Sequence, residues 1–175
     1  MLDLTNLIIN SLWLVLPAYF ANFFPVILKG KKPLDLNKHF IDNKRIFGDG
    51  KTIEGFFGGL SMGLFIGIFQ IYAQAFIPLS LLQFQHSPIT IFLLSFGAMT
   101  GDLIGSFVKR RFSLERGRPA PLLDQLDFLI FGLILLSLTT HICISTVAFL
   151  VIITPLFHVI SNIFAFLFKL KDNPW

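Results

Sequence analysis

The sequence predicts an all-α integral membrane protein with five transmembrane helices, its N-terminus outside, its C-terminus cytoplasmic and two long cytoplasmic loops. Three observations predict it. Of the 175 residues, 54% are hydrophobic, 22 are Phe and only 14% are charged, with a mean hydropathy of +0.76. A soluble domain carries roughly a quarter of its residues as charges, so a soluble enzyme, a disordered chain and a nucleic-acid module are all disfavoured. The apolar residues run in stretches long enough to cross a bilayer, and all 14 Lys and Arg fall into three clusters between or after them. The chain reads as one polytopic domain over 1–175. Its lone Cys143 excludes an internal disulfide framework and a thiolate metal cluster.

The first span is placed at about 7–28, interrupted by Pro17, Asn22 and Pro25, and has neither a basic n-region nor a small-residue cleavage site. It reads as a retained span. The second, about 53–77, carries glycines at 55, 58, 59, 63 and 67, a small-residue stripe that lets a neighbouring helix approach closely. The third is about 89–108. From Phe128 to Phe168 there is no Asp, Glu, Lys or Arg. As one helix that stretch would be about 60 Å long, twice the hydrocarbon thickness. It is therefore two spans, about 126–142 and 146–168, turning near Thr139, Thr140 and His141. Threaded through a bilayer, the chain puts loops 29–52 and 109–125 and the C-terminal tail on one face, with every Lys and Arg; the opposite face receives none. That asymmetry makes the basic face cytoplasmic, so the pI near 9.4 reflects membrane topology and not nucleic-acid binding.

Ionisable groups within a span need a reason. Asp102 lies inside span three, and Ser106 and Lys109 follow at i+4 and i+7 on the same helical face. Gly97, Gly101 and Gly105 line the adjoining face. Asp124 and Asp127 are i, i+3 neighbours at the start of span four, where the helix dipole favours anions. Between them lie Lys109, Arg110, Arg111, Arg116 and Arg118. A lipid anchor explains the cations alone, and capping explains the carboxylates alone. A polyphosphate bridged by Mg²⁺ explains both, because this ion takes one or two carboxylates and completes its shell with phosphate oxygens and water. Asp102, Asp124 and Asp127 are therefore the candidate metal ligands.

The first loop ends in Gly50-Lys51-Thr52, but a P-loop would need glycine at Arg45 and a preceding apolar strand. What remains is a set of backbone donors beside Lys51 and Thr52 at a helix start, suited to an anion. Asp49 and Glu54 are candidates for capping, metal or nucleotide. Asn22 in span one and the i, i+4 pair His158 and Asn162 in span five are further polar intrusions, counted with Gly50, Lys51, Thr52, Ser106 and Arg111 as substrate-binding candidates. His39, His86 and His141 have no carboxylate partner suggesting catalysis.

The run Gly101-Asp-Leu-Ile-Gly-Ser106-Phe-Val-Lys109-Arg110, followed by Pro121-Leu-Leu-Asp124-Gln-Leu-Asp127, resembles the signature of the integral-membrane phosphatidate cytidylyltransferases. The stretches from Pro17 to Pro25, Lys51 to Gly55, Leu123 to Phe128 and His158 to Asn162, with the terminal Pro174-Trp175, are similar to that family's small archaeal branch, the CDP-archaeol synthases. Where the bacterial branch has His-Gly-Gly and an Arg between the paired Asp residues, this chain has Arg118-Pro-Ala-Pro121 and Gln125. Contacts made by those bacterial residues do not carry over.

The resemblance implies transfer of CMP from CTP to the phosphate of 2,3-bis-O-(geranylgeranyl)-sn-glycerol 1-phosphate, with a diacyl phosphate such as phosphatidate as the alternative acceptor. It implies Asp102, Asp124 and Asp127 at a Mg²⁺ centre, Lys109 and Arg110 on the phosphates, a multi-pass cell-membrane location and no protein partner. A CDP-alcohol phosphotransferase is rejected because only Asp102 is inside a span. A transporter is disfavoured because the charges gather at one face.

Overall fold

The computed structural model describes residues 4–114 and 120–170, so Arg116, Arg118 and the Pro174-Trp175 pair lie outside the described residues. Five helices follow in order: α1 (Leu4–Leu28), α2 (Ile53–Gln74), α3 (Pro88–Arg111), α4 (Leu123–Ser137) and α5 (Ile144–Leu167). Among the described residues β structure is limited to two isolated antiparallel bridges. By length and composition, α1, α2, α3 and α5 are long and apolar enough to cross a membrane. With 15 residues, α4 rises about 22 Å, against a hydrocarbon core of about 30 Å.

Three boundaries differ from the sequence expectation. Helix α4 spans Leu123–Ser137, not 126–142. The turn falls where Thr139 and Thr140 marked it: Thr139 N and Thr140 N both donate to Leu136 O at 3.0 and 3.1 Å and the Thr139 hydroxyl adds a contact at 3.2 Å. Local bonds of this kind compete with the helical ladder and turn the chain toward α5. Helix α2 stops at Gln74 rather than 77, its end tightened by i→i−3 bonds from Ala75 and Phe76. Helix α3 runs past 108 and takes Lys109, Arg110 and Arg111 into its last turn, where the dipole favours cations.

Small residues decide how closely the helices meet. The most extensive contacts are α3 on α4 and α1 on α2. A Cβ built on Gly101 would lie 2.5 Å from Asp127 O, and one on Gly63 would lie 2.5 Å from Ser95 Oγ and 2.8 Å from Pro17 O. Any larger residue would separate these backbones. Leu14, Val15, Ala18, Leu94, Ala98, Leu129, Leu133 and Leu136 fill the shared core.

The prolines of α1 have a specific consequence. Pro17 has no N–H, so the carbonyl four residues earlier, Trp13 O, loses its helical donor. Gln70 Nε2 donates to it at 2.8 Å, and His86 Nε2 lies 3.2 Å from the same oxygen. His86 is therefore buried between α1 and α3. Gln74 pins it, bonding both its N–H and its C=O at 2.8 and 2.9 Å.

The loop between α1 and α2 is folded around one carboxylate. Asp35 accepts from Arg45 Nη2 at 2.7 Å, Arg45 Nε at 3.2 Å, Gly48 N at 2.9 Å, Phe47 N at 3.0 Å and Asn37 N at 3.1 Å. Burial opposes its charge, but these donors outweigh that and hold its pKa far below the usual carboxylate range. Pairing of Leu34 N with Lys51 O (2.8 Å) and Ile53 N with Lys32 O (2.9 Å) returns the chain to the head of α2. The loop thereby delivers residues 47–52 to a fixed place beside α3.

Candidate active site

A cavity of about 900 Å³ opens where this loop meets the helices. Its walls are α1 (Tyr19, Asn22, Pro25), the loop from Phe47 to Thr52, α3 (Asp102, Ser106, Lys109, Arg110), the start of α4 (Asp124, Phe128) and α5 (Thr154, His158, Asn162). The volume lies in the range of small-ligand sites.

Two ion pairs set its electrostatics. Lys51 Nζ grips Asp102, with Oδ2 at 2.6 Å and Oδ1 at 2.7 Å. Burial draws the Lys51 pKa down, but the Asp102 carboxylate, with the fields of Asp127 and Asp124 added, more than offsets this and holds it above the ordinary lysine value. Lys51 is thus a committed cation. Lys109 Nζ lies 2.6 Å from Asp124 Oδ1, and Asp124 Oδ2 accepts from Ala120 N at 3.1 Å. Arg110 lies against Gly48, whose φ of +85° keeps the loop backbone flat beneath it; a Cβ there would sit 3.6 Å from Arg110 Cδ.

Most of the residues singled out from sequence meet here. Gly50, Lys51, Thr52, Asn22, Asp102, Ser106, Lys109, Arg110, Asp124, His158 and Asn162 all line the cavity. Thr52 is also the N-cap of α2, its Oγ1 accepting from Gly55 N at 3.0 Å. Asn162 Nδ2 and His158 Nδ1 are 3.2 Å apart on one face of α5. Glu54 accepts from Lys32 N at 3.2 and 3.3 Å, and Asp49 pairs with Arg45 at 2.8 Å.

Two candidates fall elsewhere. Arg111 is not among the cavity-lining residues. Its guanidinium lies over Phe40 and Phe107 at 5.0 and 4.6 Å, pairs with Asp42 at 3.2 Å and donates to Arg45 O at 2.6 Å. It fastens the loop to α3 instead of facing a substrate. Asp127 is buried at the α3–α4 contact, with Oδ2 against Gly105 and Oδ1 accepting from Phe128 N at 2.6 Å.

Of the three expected ligands, Asp102 and Asp124 face the cavity and Asp127 lies behind them at the helix contact. Among the described residues no three Asp, Glu, His or Cys side chains are placed to hold an ion together. The physical reason is that Asp102 and Asp124 each face the cavity already paired with a lysine, while Asp127 is turned into the helix contact. A pair of carboxylates on one wall remains. That suffices for Mg²⁺ arriving on a polyphosphate, whose oxygens supply the rest of the shell.

Sequence reasoning missed Asp35, which places the loop, and Tyr19, whose OH lies 2.7 Å from Thr154 Oγ1 and ties α1 to α5 in the cavity wall. An acidic residue within a basic segment was the available signal for Asp35. Tyr19 gave none.

Four helices of membrane length and a cavity lined by paired Lys and Asp describe a membrane protein with a charged site suited to an anionic ligand. The model of the CarS-like CDP-archaeol synthase family matches residues 4–175, and the chain belongs to that family. CDP-archaeol synthases of Pyrococcus abyssi, Thermococcus gammatolerans and Archaeoglobus fulgidus are 45%, 46% and 42% identical to it, covering 97%, 94% and 97% of this chain and 99%, 95% and 99% of theirs. A solved structure described as an intramembrane enzyme for archaeal membrane lipid biosynthesis matches with a TM-score of 0.76 at 37% identity, over 87% of this chain and 92% of its own.

Proposed function

We propose that the chain transfers CMP from CTP to the phosphate of 2,3-bis-O-(geranylgeranyl)-sn-glycerol 1-phosphate, releasing pyrophosphate, in a site at the cytoplasmic membrane face. The observation that carries this reading is the cavity itself, which joins the ion pairs Lys51–Asp102 and Lys109–Asp124 with the apolar rings of Phe20, Phe23 and Phe157 in one lining. A soluble polyanion and a phosphate on two long chains both have a surface to meet there.

In the reaction an oxygen of the lipid phosphate attacks the α-phosphorus of CTP. The bond from that phosphorus to the bridging oxygen breaks, and the electron pair leaves with pyrophosphate. The lipid phosphate is already anionic near neutral pH, so no Ser–His pair is required. Lys109 and Arg110 at the end of α3, with Lys51, hold the phosphates and oppose the charge that builds on the leaving group. Asp102 and Asp124 would hold Mg²⁺ together with phosphate oxygens. The ion's contribution there is charge screening between two anions. The backbone donors around Gly50 orient the nucleotide, while Asn22, Ser106, His158 and Asn162 line the remaining wall.

In this reading all five helices cross the membrane, with the N-terminus outside and both long loops cytoplasmic. The short α4 then leaves its Asp124 end beneath the headgroups, at the depth of Asp102. The test is incubation of purified chain with CTP labelled at the α-phosphate, Mg²⁺ and the ether lipid phosphate. A labelled CDP-lipid is the expected product. Label recovered only in CMP, or a product formed only from a diacyl phosphate, overturns the assignment.

A further inference from the structure

We propose that the tip of the first loop, Ile41 flanked by Phe40 and joined by Phe112, is a membrane-surface anchor seated in the inner leaflet of the bilayer that α3 crosses. The inference rests on the reading above that α3 ends at the cytoplasmic face.

Residues 38–46 form a narrow hairpin. Phe40 N donates to Lys44 O at 2.8 Å and Asn43 N to Phe40 O at 3.0 Å, which leaves Ile41 and Asp42 at the corners of the turn. Ile41 is 91% exposed, and the same end of α3 carries Phe112, 74% exposed. Two large apolar side chains in an aqueous loop would be unfavourable.

The hairpin does not project away from the helices. Phe40 packs edge-on against Phe107 of α3, ring centroids 5.2 Å apart, so the tip stands beside the last turns of a membrane-crossing helix. It is also held rigidly. Asp42 accepts from Lys44 N at 3.1 Å and pairs with Arg111, while Lys44 Nζ reaches Arg111 O at 2.9 Å and Ser113 Oγ at 2.7 Å. Those bonds bracket Phe112. An apolar pair presented by a fixed turn at this depth, with the exposed cation of Lys38 at the hairpin root, matches the boundary between acyl chains and anionic headgroups. The anchor would steady the loop that carries Lys51.

An environment-sensitive fluorophore (NBD) attached to Ile41→Cys, in a Cys143→Ser background, tests this in vesicles of mixed neutral and anionic lipid. Asn37→Cys, exposed on the same loop, serves as the aqueous reference, and Phe65→Cys on the exposed face of α2 as the membrane reference. At Ile41 the expected result is blue-shifted emission, quenched by nitroxides on the upper acyl chain and shielded from iodide. Emission and iodide quenching equal to Asn37 would overturn the anchor, as would protection from both quenchers, which indicates protein contact. If Phe65 also escapes the lipid nitroxide, the membrane reading beneath the proposal fails instead.

Discussion

At Pro17 the chain gives up one helical donor, and two side chains distant in sequence make good the loss. Gln70 and His86 both address Trp13 O, and His86 does so from a buried position. Burial, partly opposed by that carbonyl contact, pushes the His86 pKa down from 6.5 to about 4. The imidazole is therefore neutral in the folded chain, whereas an unfolded chain protonates it below 6.5. Its contribution is fully present above pH 6.5 and is lost as pH falls toward 4, by about 3 kcal/mol at full effect. His86→Gln keeps a donor for Trp13 O but cannot titrate. The drop in Tm between pH 7 and pH 5 in detergent is expected to shrink in that variant, and an unchanged drop would assign the acid sensitivity to other groups. On the cavity wall, Asp102→Asn leaves the Lys51 ammonium without its carboxylate. CMP transfer is expected to fall by about 10²–10³-fold, the range for removing one preorganised electrostatic partner, with helical content by circular dichroism retained. Activity within tenfold of the parent would remove Asp102 from the reaction. Asp102 was legible as a candidate in the sequence because a charge inside an apolar stretch is conspicuous. Asp35 was not, because its role depends on backbone donors from Phe47 and Gly48 that acquire direction only when the loop closes.

Helix contacts here depend on where glycines stand, and two of them make opposite predictions. Gly101 meets the α4 backbone so closely that a methyl group would lie 2.5 Å from Asp127 O, whereas a methyl on Gly132 would find its nearest atom, Leu94 O, at 3.4 Å. Gly101→Ala is therefore expected to lower stability by about 1–3 kcal/mol, the range for overpacking, and to reduce turnover by moving Asp124 away from Lys109. Gly132→Ala fits ordinary contact distance and gains helix propensity of up to about 1 kcal/mol. Thermal unfolding of the two variants should move in opposite directions; equal losses would show that the α3–α4 contact is not set by this close approach. The glycine stripes were visible as four-residue spacing, but their partners were not, since spacing names a face without naming what packs on it. Helix ends were legible only where hydropathy changes. At Thr139, Thr140 and His141 it does change, which marked the turn, and bonding to Leu136 O closes α4 there.

For the whole molecule, the distribution of charge carries the proposed orientation. Every Lys and Arg lies in the segments after α1, in or after the last turn of α3, or after α5, and the intervening connections have none. That pattern was fully legible, because the positive-inside bias acts on sequence before any packing exists. The depth proposed for the site was not, because it follows from the length of α4, which the folded turn determines. The cavity between Lys51 and Lys109 faces the cytoplasm only if the turn between α4 and α5 faces outward, and the chain supplies its own reporter there. Cys143 is free and exposed in that turn. In right-side-out vesicles a membrane-impermeant maleimide is expected to label it without permeabilisation. A Cys at the exposed position of Lys31, introduced as Lys31→Cys in a Cys143→Ser background, should react only after the membrane is opened or in inverted vesicles. The reverse pattern would place the nucleotide cavity on the outer face, away from cytoplasmic CTP. Labelling of both sites from one side would mean that α4, α5 or both fail to cross.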